Sequence, residues 1–247
     1  MLRLLLLIST LVFSRLLSAE IHLHVDEQPH PKKASLISTL QTHIDYVNQR
    51  YTFPFELDII LGAEDGPLYD PELNQVWFPY WFADDIEQAF INGGYYENRL
   101  PEAIEGVMAH TFYHELGHAL VENLALPVLG MEEDAVDTLA TLFLIHQKNE
   151  QEGIFMALAA ADAFDAEDLQ TSSTHIEEEA FYAAHSFDLQ RFYRAICLIV
   201  GSEPENMLAI LNDLDWDEEK QAECYWEYKD KSAAAETLLK PYLNILK

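Results

Sequence analysis

The sequence predicts an α+β fold, with a small amino-terminal sheet followed by a larger, mainly helical part that meets it near residue 100. Two observations carry this. Stretches of period-two alternation and short apolar runs fall before Gly93-Gly94, and an almost unbroken helical pattern runs from Pro101 to the end. The composition allows one well-packed unit, because 247 residues with 49% hydrophobic and 12% aromatic residues can bury a substantial core.

Ile21-His22-Leu23-His24-Val25 alternates as a strand does. Ala34 to Tyr51 reads as a helix, with Leu36, Ile37, Leu40, Ile44 and Val47 on one stripe. Phe55 to Leu61 reads as a second strand closed by Gly62, and Gln75 to Phe82 as a third. Tyr69 to Asn74 supplies turn chemistry between these two. An aromatic strand such as Trp77 to Phe82 belongs to a core more often than to a substrate cleft. From Pro101 onward the helical boundaries are marked by Pro127, Gly130, Gly153, Gly201 and Pro204.

Residues 1–19 have the charged start and short apolar stretch of a secretory signal peptide, with a cut expected after Ala19. Ser14-Arg15 interrupts the apolar run before it reaches the roughly 20 residues of a membrane span, so no stable membrane insertion is expected after cleavage. The mature chain, 20–247, reads as one domain with a mixed part (20–100) and a helical part (101–247), secreted or periplasmic. Its two cysteines, Cys197 and Cys224, are the right number for one disulfide in an oxidising compartment. A formal charge of −29 excludes partners held through phosphate, nucleic acid above all. Oligomeric state is not legible.

The chemistry concentrates at His114-Glu115-Leu116-Gly117-His118. Histidines four apart on a helix project from one face, one turn along the axis, so two imidazole nitrogens can reach one metal ion. Glu115, about 100° further round, is placed to take a proton from an activated water. A chance match to this pattern is expected about 0.04 times in a chain of this composition, so coincidence is disfavoured. A catalytic zinc site needs a third protein ligand. After the break at Leu126 to Gly130, a second helix opens with Met131-Glu132-Glu133-Asp134-Ala135-Val136-Asp137 and can fold back antiparallel against the first. Glu133 is the preferred ligand, because Asp137 then shares its face and can hydrogen-bond a ligand histidine. Asp134 and Asp137 remain alternatives for the third ligand.

A peptidase also needs a donor for the developing oxyanion. His185, Tyr182, Arg191 and Tyr193 are candidates, with His185 preferred because Asp188 could orient it. His110 continues the histidine row but drifts about 80° from His118 and reads as structural. His146 and His175 read as core or surface residues.

These residues resemble the zincin metallopeptidases, and within them the group ligated by glutamate from a Glu-x-x-x-Asp element. The block His114 to Leu120, then Leu126 to Gly130, then Glu132 to Asp137, looks like a bacterial family described as putative metallopeptidases. So do Tyr69-Asp70-Pro71, His185 to Tyr193, and Cys197 with Gly201-Ser202. The resemblance spans most of the mature chain and implies a zinc-dependent peptidase fold acting on protein or peptide, without naming the substrate. One departure is the gap from His118 to Glu133, shorter than in the best-known members of the glutamate-ligated group. The expected function is peptide-bond hydrolysis with Zn²⁺ on His114, His118 and Glu133, Glu115 as general base and His185 as oxyanion donor. The rival readings are a catalytically silent, zinc-stabilised binding module of the cell envelope and a metal-free helical interaction domain.

Overall fold

A computed structural model describes residues 19–147, 149–171, 183–203 and 205–244. The expected signal sequence up to Ser18, together with His175 and Tyr182, lies outside the described residues.

The element order is β1 (Ile21–Val25), α1 (Lys33–Arg50), β2 (Leu57–Leu61), β3 (Leu68–Asp70), β4 (Gln75–Phe78), α2 (Tyr80–Gly93), α3 (Leu100–Leu124), α4 (Glu132–Ile145), α5 (Glu150–Thr171), α6 (Asp188–Ser202), α7 (Leu208–Asp213) and α8 (Glu218–Leu239). The fold is α+β, a four-stranded sheet followed by a mainly helical part. In the sheet, ordered β1-β2-β4-β3, the first three strands are mutually parallel and β3 runs antiparallel along one edge.

Alternation explains β2, where Leu57, Ile59 and Leu61 are fully buried while Asp58 and Ile60 are only partly so. The 3.6 period explains α1, whose Leu36, Leu40, Ile44 and Val47 all point into the core. One hydrophobic cluster runs from Ile21 of the sheet to Leu239 of α8. Its middle is α3, which packs on α1, α2, α4, α5 and β3. Burial on nearly every face makes α3 apolar all round, as a central helix must be.

Two expectations from the sequence need correction. The strand expected over Gln75 to Phe82 ends at Phe78. Pro79 then caps α2, and Tyr80, Trp81 and Phe82 form its first turn. Ala83, Ile86 and Phe90 are the buried stripe of that helix, a period hidden in the sequence by the aromatic run before it. Tyr69 and Asp70, read as turn, belong to β3, and the turn itself is shorter. Asp70 Oδ1 accepts from the backbone N–H of Glu72 and of Leu73 (2.8 and 3.0 Å), which folds β3 back on β4.

At the carboxyl-terminal side, Cys197 of α6 is disulfide-bonded to Cys224 of α8, with Cα atoms 4.9 Å apart. Among the described residues no helix is long and apolar enough to cross a membrane.

Candidate metal centre

The site sits where α3 and α4 cross antiparallel beneath the edge strand β3. Their closeness has a local cause, since an added Cβ at Gly117 would lie 2.8 Å from the Val136 side chain. The break at Leu126 to Gly130 reverses the chain, and Ala125 ends α3 with φ +50°. α4 therefore begins beside the last turns of α3. Glu133 and Asp137, four apart on one face of α4, then meet His118 and His114, four apart on one face of α3.

Each ligand-type histidine is held by its Nδ1. His114 Nδ1 bonds Asp137 Oδ1 at 2.7 Å, and His118 Nδ1 bonds Glu132 Oε1 at 2.8 Å. In the neutral ring a carboxylate partner favours the proton on Nδ1, which leaves Nε2 as the atom that can bind a metal ion. The two Nε2 atoms face one another at 3.3 Å. Glu133 Oε2 completes a triangle with them, 3.2 Å from His114 Nε2 and 3.3 Å from His118 Nε2. This oxygen is buried and lies within ion-pair distance of the imidazoles, yet accepts no well-directed hydrogen bond. Three ligand-type atoms thus converge on one point, where the negative charge is balanced either by protons on the imidazoles or by a bound cation. A tetrahedral ion with bonds of roughly 2.0–2.1 Å sets its ligands roughly 3.3 Å apart, so the triangle matches one face of such a polyhedron. Among the described residues this is the one group of three or more that could hold a metal ion. The residues fit.

Electrostatics agree with the geometry. Burial would raise the Glu133 carboxyl, but the imidazoles of His114, His118 and His185 outweigh it and hold that carboxyl far below the usual range. Burial likewise opposes charge on His114, yet Asp137 and Glu133 push its pKa up to about 9. Burial pushes Glu115 up, although the two histidines and the backbone N–H of Tyr69 favour its ionised form. A buried carboxyl raised in this way is suited to accept and return a proton.

Further side chains surround this centre. The family described as Putative metallopeptidase matches residues 27–239. The chain belongs to that metallopeptidase family. No curated protein and no solved structure matches it. In this metallopeptidase family member His185, on the segment before α6, points Nε2 at Glu133 Oε2 from 2.9 Å, and its ring stacks on His114 with centroids 6.1 Å apart. Arg191 grips Asp137 through Nε and Nη2 (2.7 and 2.9 Å) and stacks on Phe164. Asp188 contributes charge beside Arg191. Tyr193 packs on Phe192 and Trp216. Asp134 is drawn off by Arg194 and Ser186. His110 is buried against Thr141 and Phe164, and His146 bonds Tyr228.

Sequence reasoning missed the orienting role of Glu132, because its register against His118 is set by the reversal between α3 and α4. The backbone N–H of Tyr69, which reaches the Glu115 carboxylate from β3, was missed too. No side-chain pattern announces a backbone donor.

Proposed function

We propose that the protein is an exported zinc peptidase in which His114, His118 and Glu133 hold the metal, and in which residues 20–247 act as one catalytic unit. The observation that carries the reading is the triangle of Nε2, Nε2 and Oε2 atoms at 3.2–3.3 Å in a member of a metallopeptidase family. Zinc, when bound, supplies Lewis acidity that polarises the scissile carbonyl and acidifies water. Glu115 lines the cleft before the triangle, takes the proton of the attacking water and returns it to the leaving amine. His185, half-exposed at the same cleft, serves as the oxyanion donor, which requires its ring to turn from Glu133 Oε2, 2.9 Å from its Nε2 in this structure. The edge strand β3 borders the cleft through Leu68 and Tyr69, so an extended substrate lies along it. Export is supported by the Cys197–Cys224 disulfide and by the amino-terminal sequence.

The test is Glu115→Gln. Zinc content should stay near about one ion per chain, because no ligand is lost, while hydrolysis of an unfolded protein should fall about 10²-fold or more. Metal-dependent hydrolysis indifferent to this change would remove the mechanism, and wild-type zinc content retained after His114→Ala with His118→Ala would remove the site.

A further inference from the structure

The cleft before the triangle encloses about 360 Å³ and is bordered by four carboxylates, Glu115, Glu122, Glu132 and Glu133. Three of them are spoken for. Glu133 faces the imidazoles, Glu132 holds His118, and Glu115 is buried against the Tyr69 backbone. Glu122 is exposed and makes no ion pair or side-chain hydrogen bond among the described residues. Among the described residues no lysine or arginine lines the cleft, and the nearby Arg191 and Arg194 are already engaged by Asp137 and Asp134. Bound zinc would offset only two of the four negative charges.

Position and surroundings say what this carboxylate can receive. Glu122 lies four residues beyond His118, one turn and about 6 Å further along the same row of α3. An extended peptide advances about 3.3 Å per residue, so Glu122 stands about two residues from the reacting carbonyl. Across from it, Leu68, Tyr69 and Pro71 form an apolar wall. A carboxylate opposite an apolar wall suits a side chain with a methylene stem and a cationic head.

From this juxtaposition of an unpaired Glu122 with the β3 wall, we propose that the cleft selects peptides carrying lysine or arginine within about two residues of the scissile bond. This inference rests on the peptidase reading above. The experiment uses the zinc-loaded protein and a set of peptides identical except for lysine, norleucine or glutamate at each position flanking the cleaved bond. At the selected position kcat/KM should favour lysine over norleucine about fivefold, the upper end for a solvent-facing charge pair, and high salt should shrink the ratio. Glu122→Gln should bring the ratio to about one, and Glu122→Lys should make glutamate the preferred residue. The same peptides are titrated by fluorescence anisotropy against zinc-loaded Glu115→Gln, with and without Glu122→Gln. Hydrolysis with equal rates for all three peptides overturns the selectivity and leaves the peptidase reading standing. Absence of hydrolysis with lysine-selective binding that vanishes in Glu122→Gln supports the selectivity and removes the peptidase reading. Equal binding of all three peptides overturns the selectivity.

Discussion

The two histidines are held unequally. Asp137, 14% exposed, is gripped by Arg191 and cannot swing away from His114, whereas Glu132, 48% exposed, is free to exchange His118 for water. Orienting carboxylates of this kind are worth about 10- to 100-fold in metal affinity, and the ordered partner should command the larger share. Asp137→Ala is therefore expected to weaken zinc binding by about 10- to 100-fold, and Glu132→Ala by only a few-fold on the order of 3. Chelator competition measures both. Equal losses would show that solvent access to the carboxylate does not set its value to the site.

Between elements, the critical contact is Gly117 on Val136, because it lets α3 and α4 approach closely enough for the histidines and Glu133 to converge. Gly117→Ala should cost about 1–3 kcal/mol of stability through overpacking and also weaken zinc binding, since the intruding methyl pushes α4 outward. Adding Val136→Ala should restore both, measured by thermal melts and metal titration. A stability loss with zinc affinity intact would mean that α4 follows the ligands and not the packing. Further out, α6 and α8 touch so closely that a Cβ on Gly201 would collide with the Cys224 carbonyl oxygen. The disulfide between them closes a loop of 27 residues, worth about 3–4 kcal/mol in the chain-entropy account. Replacing both cysteines by alanine should lower Tm on the order of 10 °C. A melt unchanged by this or by reductant would mean that packing at Gly201 suffices.

For the whole molecule, buried titratable groups decide how stability follows pH. Burial lowers His43 and His110 from 6.5 to about 4. Folding thus favours their neutral forms, a contribution complete above pH 6.5 and lost as pH falls toward 4. Asp162, hydrogen-bonded by Tyr96, is pushed up from 3.8 to about 6 by burial and by Asp165. Its contribution runs the other way, complete below 3.8 and lost as pH rises through 6. His43 and His110, with the lowered His146, make stability climb from pH 4 to 6.5, and Asp162 opposes them together with the raised Glu105, Glu115 and Glu167 carboxyls. Asp162→Asn removes one opposing group, so urea melts should show stability rising more steeply with pH than in the parent, with a gain of up to about 3 kcal/mol at pH 7. A variant no more stable than the parent at pH 7 would mean that this carboxyl is better solvated than its surroundings indicate.

The sequence by itself determined whatever depends on neighbours along the chain. The period of α1, the alternation of β2, the four-residue spacing of His114 to His118 and of Glu133 to Asp137, and the break at Leu126 to Gly130 are all local, and each is legible without a fold. Three-residue β3 was too short to alternate visibly, and the aromatics opening α2 fit a strand as well as a helix. Tertiary structure alone decided which groups face one another. It brought β3 over α3 so that the Tyr69 N–H reaches Glu115, set Glu132 against His118, carried His185 to Glu133 from 52 residues away in the chain, and left Glu122 without a counter-charge among the described residues. Those pairings depend on where α3 ends and how tightly α4 returns past Gly117. Spacing fixes direction on one helix, whereas distance between two helices is fixed by what packs between them.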